Sequence, residues 1–319
     1  MKYNNNRIIA IGDIHGDYPA LIKLLQLAKV INSKSEWIGG STYVVQVGDT
    51  LDGLRPDIIH DPEYLKTPYE IKILNFILKL DLEAKKKNGR VISILGNHEL
   101  YPYYEYKNKS FTNKYVKKSD YAEYKQLFGI SRDDFYYPGK GRGAKIFGLT
   151  KPLILQLGQC IFCHGSLNKQ FLDMYSKNGK FDINKVNRET RDWFTGKSQS
   201  KPKYIDTDDS INPLFNRDLT DPDLLSNKEC DKLVKPLFKY FNNAKCIIMG
   251  HSTHKSISPL CNGKLYRIDI AVSRAFGGNS KEQDNKLQVL EIIQSDNSIK
   301  TSIIMKNCKY NISGIKCKK

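Results

Sequence analysis

The sequence predicts an α/β layered fold, and three observations carry that reading. Five short runs rich in Val, Ile and Leu are each followed closely by glycine. Amphipathic helical patterns lie between the early runs. The 319 residues are 40% hydrophobic, enough for a normal core in one large domain or two small ones. Buried strands alternating with helices define this class.

The elements follow in chain order. Arg7–Ile11, Tyr43–Val47, Val91–Leu95, Leu153–Cys163 and Cys246–Met249 read as buried strands. After the first, Ala20–Val30 places Leu21, Leu24, Leu25 and Ala28 on one helical face, with Pro19 near the start. After the second, Tyr69–Lys87 repeats Ile71, Leu74, Ile77 and Leu78 and has lysines in its last turn, with Gly89 as the expected residue beyond the cap. Tyr101–Gly143, crowded with Tyr and Lys, reads as an insertion: either a cap over a site or a solvated excursion. Gly196–Asp209 reads as a loop. Residues 1–305 are expected to form the folded domain, and the basic segment 306–319 a frayed tail.

Composition narrows the class. The N-terminus lacks the apolar stretch of a signal peptide, and no run approaches the roughly 18 apolar residues of a membrane span. The expectation is a soluble cytoplasmic protein with no membrane partner. The formal net charge of +17 would suit nucleic acid or any acidic substrate. It is spread along the chain and dominated by lysine, which argues against a nucleic-acid stripe. The seven cysteines are few, odd in number and scattered, unlike a disulfide framework. Cys160 and Cys163 have the gap of a zinc pair, but no second pair lies nearby.

The chemistry sits at the strand ends. The five runs lead into Gly12-Asp13-Ile14-His15-Gly16-Asp17, Gly48-Asp49-Thr50-Leu51-Asp52-Gly53, Gly96-Asn97-His98-Glu99, His164-Gly165 and Gly250-His251-Ser252. Ligands of α/β sheets bind beyond the carboxyl ends of the strands. One edge would then collect carboxylates, imidazoles and an amide oxygen, a set suited to two divalent ions such as Mn, Fe or Zn. Asp13 and His15, separated by one residue, would point the same way from an extended backbone. Glu99 reads as hydrogen-bond support for the ligands. His254 and His60 read as loop residues.

The ordered motifs GDIHG, GDTLDG, GNHE, HGS and GHS resemble those of the calcineurin-like metallophosphoesterases, within the Ser/Thr phosphoprotein phosphatase superfamily. The later segments Asn187–Phe194, Pro213–Arg217 and Cys261–Asp269 resemble the Shewanella-like protein phosphatases. The resemblance spans about Ile8 to Ile292. It implies a central β-sandwich flanked by helices and two bound divalent metal ions. Asp13 and His15 would hold the first metal, Asp49 would bridge both, and Asn97, His164 and His251 would complete the second. A hydroxide between the metals would attack phosphorus, while His98, oriented by Asp52, acts as general acid. The family's GDxxDRG places a phosphate-clamping Arg where this chain has Gly53. Arg55 is either its replacement or a surface arginine; Arg217 fits the family's other phosphate Arg. The implied function is a phosphatase of phosphomonoesters on phosphoproteins (Ser/Thr or Tyr). The alternatives are a dinucleoside tetraphosphate hydrolase or other small-molecule phosphatase, and an inactive phosphate-binding scaffold. The partner is a phosphorylated protein or a small phosphoester.

Overall fold

Two mixed β-sheets face each other across one apolar layer. The computed structural model describes residues 7–56, 58, 70–108, 114–116, 121–221, 226–296, 298–306, 308–311 and 314–317. In chain order the strands are β1 (Arg7–Ile11), β2 (Tyr43–Gln46), β3 (Arg90–Ser93), β4 (Leu155–Leu157), β5 (Cys160–Phe162), β6 (Ser176–Lys177) and β7 (Lys180–Phe181). They continue as β8 (Cys246–Met249), β9 (Ser258–Leu260), β10 (Leu265–Arg267), β11 (Gln288–Gln294), β12 (Ile299–Met305), β13 (Cys308–Asn311) and β14 (Gly314–Cys317).

One sheet runs β14-β13-β12-β11-β1-β2-β3 and the other β4-β5-β8-β10-β9, while β6 and β7 pair by themselves. In the first, β1, β2 and β3 are parallel. In the second, β5, β8 and β10 are parallel. Parallel neighbours end at one edge, so the motif loops after β1, β2 and β3 are held side by side, as are those after β5 and β8.

The strand period of two separates two cores. Cys160 and Phe162 of β5, with Cys246 and Ile248 of β8, face the first sheet and share its core with Ile8, Ile9 and Val45. Ile161, Cys163, Ile247 and Met249 face a second core built with the helices. The helices Tyr18–Leu27 and Glu70–Lys85 cover the first sheet. Asp17 caps the first of these, accepting from Ala20 N at 3.1 Å.

Several expectations need correction. Leu153–Cys163 is a hairpin rather than one strand, because Gly158 takes a φ of 58° and turns the chain so that Leu157 pairs with Cys160. The first helix ends at Leu27 instead of Val30, because Lys29 adopts a left-handed φ of 55°. Asn88, at φ 60°, makes the turn expected of Gly89. Residues 308–311 and 314–317 are no frayed tail: the first segment pairs onto the outer edge of β12 and the second pairs onto the first, because each strand edge offers the hydrogen-bonding groups that template the next. The stretch after Tyr101 carries the helices Tyr101–Lys107, Glu123–Phe128 and Arg132–Tyr136. These bury Tyr103, Tyr124, Phe135 and Tyr136 in the second core, so the described part of this region is a packed module. The expected loop after Gly196 contains the 3₁₀ turn Lys203–Asp206, with Tyr204 and Ile205 buried. The cysteines also depart from expectation, since Cys230 and Cys261 form a disulfide. Cys160, Cys163 and Cys246 are free and buried. Among the described residues no helix is long and apolar enough to cross a membrane.

Candidate active site

The six expected metal ligands converge, and all are buried. Asp13 and His15 follow β1, Asp49 follows β2, Asn97 follows β3, His164 follows β5 and His251 follows β8. Asp49 is the hub. Its Oδ1 lies 3.3 Å from His164 Nε2 and its Oδ2 lies 3.6 Å from His15 Nε2. The Oδ1 of Asn97 lies 2.8 Å from His164 Nε2 and 3.1 Å from His251 Nδ1. Asp13 Oδ2 accepts from His251 N at 3.0 Å.

The local backbone explains the motif residues. His15, Asp49, Asp52 and His251 all have positive φ, at 39°, 53°, 63° and 72°. Such conformations cost side-chain-bearing residues about 1–3 kcal/mol each and cluster at functional sites. Two glycines are required by close approach: a Cβ at Gly96 would lie 2.2 Å from Asp49 Oδ1, and one at Gly250 would lie 2.1 Å from Asp13 Oδ1.

Backbone carbonyls set the imidazole tautomers. A carbonyl only accepts, so His15 Nδ1 donates to Leu51 O at 3.1 Å and His164 Nδ1 donates to Val47 O at 2.8 Å. His251 Nε2 donates to Phe215 O at 3.0 Å. The remaining nitrogen of each ring turns a lone pair toward Asp49 or Asn97. Lone pairs aimed at oxygens repel unless a cation lies between them.

The donor set therefore fits metal. Two groups, His15–Asp49–His98 and Asp49–His164–His251, bring their ligand atoms within 4.8 Å of one another, with Asp49 common to both. Asp13 Oδ1 is buried and has no hydrogen-bond partner among the described residues, as expected of an atom waiting for a cation. Burial, with Asp269 and Asp49 nearby, holds the Asp13 carboxyl well above its ordinary range. Burial also pushes His15 and His251 well below theirs. Asp49 stays well below its ordinary value, because burial is outweighed by His164, His98 and His15. Burial opposes the charge on His164, but Asp49 raises it. Acidic and basic groups press on one another here, and divalent cations would relieve both.

Beside this set, His98 Nδ1 donates to Asp52 Oδ2 at 2.7 Å. Its Nε2 lies 3.8 Å from Asp49 Oδ2. The Nδ1–Asp52 bond leaves Nε2 as the nitrogen facing the ligand set; a carboxylate behind the ring, where His15 and His164 have neutral carbonyls, suits a proton donor. Glu99 supports the loops: it accepts from Asp49 N at 3.1 Å, Thr50 N at 2.8 Å and Gly96 N at 2.6 Å.

Both candidate arginines are close. The Arg55 guanidinium sits 4.4 Å from the Phe276 ring centroid and 4.9 Å from that of Tyr115. Its Nη2 lies 3.4 Å from His15 Nδ1. Arg217 Nη1 donates to His251 O at 3.2 Å and Ser252 Oγ at 2.8 Å. The rings of Tyr101 and Tyr115 pack 4.8 and 4.9 Å from His98. His254 Nε2 donates to Thr220 O at 3.0 Å and stands apart from both groups. His60 lies outside the described residues.

Sequence reasoning missed three supports. Asp269, pushed up to about 6 by burial, Asp49 adding to it, backs Gly12 and Asp13. Asp17 takes a bidentate bond from Arg274, at 2.9 Å to each oxygen. Arg132 and Glu70 bind the far side of Asp52. No spacing rule announces these tertiary pairs; the Asp in RID, two residues beyond a strand-forming LYR, was the one visible hint.

Two mixed sheets with helices outside and a buried Asp/His/Asn cluster at the ends of the parallel strands define a metal-dependent phosphoesterase. The chain belongs to the calcineurin-like phosphoesterase family, whose model matches residues 6–255, and it is a metal-dependent phosphatase. It is 30% identical to Shewanella-like protein phosphatase 1 of Plasmodium berghei over 310 residues, covering 91% of this chain and 75% of that protein. It is 26% identical to Shewanella-like protein phosphatase 2 of Arabidopsis thaliana, covering 90% and 75%. The fold matches a crystal structure of a cold-active protein-tyrosine phosphatase from a psychrophilic Shewanella species. There the TM-score is 0.69 and the identity 18%, over 97% of this chain and 81% of that one.

Proposed function

We propose that this chain hydrolyses phosphomonoesters on phosphoproteins, with two divalent ions (Mn, Fe or Zn) and His98 as proton donor. One observation carries the reading. Six metal donors from five separate loops meet around Asp49, with the His98–Asp52 pair beside them. Asp13 and His15 would hold one ion, Asn97, His164 and His251 the other, and Asp49 both. When bound, such ions acidify water and neutralise the phosphoryl oxygens.

The chain's own groups do the rest. Arg55 and Arg217, on either side of the ligand set, would receive the phosphate through their planar forks. Arg55, with its guanidinium 4.4 Å from the Phe276 centroid and 4.9 Å from that of Tyr115, would be a clamp steadied by two aromatic rings, in place of the motif arginine absent at Gly53. His98 would give its Nε2 proton to the departing alkoxide or phenoxide, a contribution of about 10²–10⁴-fold. The names of the Plasmodium and Arabidopsis relatives support a phosphoprotein as substrate.

The test is a panel of phosphoserine, phosphothreonine and phosphotyrosine peptides beside diadenosine tetraphosphate, each assayed with Mn, Fe, Zn and Mg. The proposal expects metal-dependent release of phosphate from at least one peptide at a higher kcat/KM than from the dinucleotide. Preference for the dinucleotide would move the assignment to a small-molecule hydrolase. Inertness of the metal-loaded protein toward every substrate would leave a phosphate-binding scaffold.

A further inference from the structure

The pair His98–Asp52 is itself gripped from behind. We propose that Arg132 and Glu70 are positioning residues for the proton donor, which makes the helical module between residues 121 and 136 a working part of the catalytic centre. This rests on the reading of His98 as general acid.

Asp52 is fully buried and has both oxygens committed: Oδ2 accepts from His98 Nδ1 and Oδ1 accepts from Arg132 Nη2. Arg132 then forks onto Glu70, donating Nη2 to Oε1 at 2.8 Å and Nε to Oε2 at 2.9 Å. Glu70 Oε1 returns to the motif loop and accepts from Asp52 N at 2.8 Å. Asp52 is thus fixed through both its main chain and its side chain by one ion pair. Tyr124 donates to Glu70 Oε2 at 2.8 Å, the Tyr121 ring lies 4.6 Å from the guanidinium, and Leu54 N donates to Tyr121 Oη at 3.1 Å. Arg132 is only 6% exposed and Glu70 2%.

Two features point to function. Buried charges are costly unless paired, and a lone Arg–Glu pair would already be neutral. Here one cation serves two carboxylates, and the second oxygen of Asp52 is spent on the His98 ring, so the network runs unbroken from the helical module to the proposed proton donor. The geometry has a second consequence. With Oδ1 held by Arg132, Asp52 cannot rotate away from His98, and the ring keeps Nε2 turned to the ligand set. A proton donor must sit within hydrogen-bond reach of the leaving oxygen, and small misplacements are expensive.

The experiment varies the leaving group. Dinitrophenyl phosphate departs without a proton; phenyl phosphate and a phosphoserine peptide require one. For Arg132→Gln and Glu70→Gln, kcat on the latter two should fall about 10–100-fold while dinitrophenyl phosphate changes less than about three-fold. Metal content and KM should hold, and Arg132→Lys should recover part of the loss. Adding His98→Asn should cost little more. Where a single variant fails to fold, the neutral pair Arg132→Gln/Glu70→Gln is read in the same way. Equal losses across the series, or none, would overturn the inference, as would collapse of every variant, which would mark the network as purely structural. If His98→Asn itself shows no leaving-group dependence in an active enzyme, the general-acid reading falls too.

Discussion

Single residues in this site are held where an ordinary chain would not put them. Four of them adopt left-handed backbone, and two glycines admit the Asp49 and Asp13 carboxylates at distances no side chain could share. Strain of this kind persists only where the surroundings over-determine it. His98→Asn should keep its metal and lose about 10²–10⁴-fold in turnover on unactivated esters; metal analysis and steady-state kinetics on one preparation check both halves. Arg55→Ala should raise KM and lower kcat together, and unchanged parameters would exclude a clamp. Glu123 gives a pH prediction. Burial, with Glu70 adding to it, pushes its carboxyl up to about 7 from an ordinary 4.5. Between those values the folded state holds a proton that the unfolded state has released, so its contribution to stability falls as pH rises. Glu123→Gln should therefore raise Tm at pH 8 relative to wild type and leave it unchanged at pH 4, as scanning calorimetry at the two pH values would show. The motif residues were legible because metal chemistry restricts their types and strand ends restrict their places. Arg132 and Glu70 were not, because a buried ion pair leaves no periodic trace in sequence.

Secondary structure was legible where burial is two-sided. The continuous apolar runs of β1, β2 and β8 announce themselves, whereas β11, written QVLEIIQ, mixes polar residues into a strand and has no such signature. The β4–β5 hairpin was hidden because apolar residues on both arms mask a turn at Gly158-Gln159. The stretch after Tyr101 reads as a cap or a solvated excursion, yet Tyr124 and Tyr136 within it are fully buried, with their hydroxyls 2.9 Å apart. Tyrosine can enter a core when its hydroxyl finds a partner. The disulfide is likewise a contact between elements: Cys230, in the helix Asn227–Leu237, meets Cys261 across a sequence separation of 31. A loop of that length implies about 3–4 kcal/mol of stabilisation in the chain-entropy model. Cys230→Ala with Cys261→Ala should lower Tm without abolishing turnover, since neither residue belongs to the ligand set. An unchanged melt, with free thiols found by titration in the wild type, would remove the bridge from the account.

At the scale of the molecule, the sandwich works as a jig. Each sheet ends its parallel strands at an edge, and the shared core presses the two edges into register, so candidate ligands 238 positions apart in sequence, such as Asp13 and His251, become neighbours. Without cations the cluster is strained by its own charges, so metal should stabilise the fold as well as activate it. A cation at 100 times its Kd adds about 2.7 kcal/mol. Chelator-treated protein should melt at a lower temperature and recover when Mn is returned. The most direct measurement is anomalous diffraction from crystals loaded with Mn. Two peaks flanking Asp49, one against Asp13 and His15 and one against Asn97, His164 and His251, are the predicted result; no peak in this pocket, or peaks only elsewhere on the chain, would contradict it.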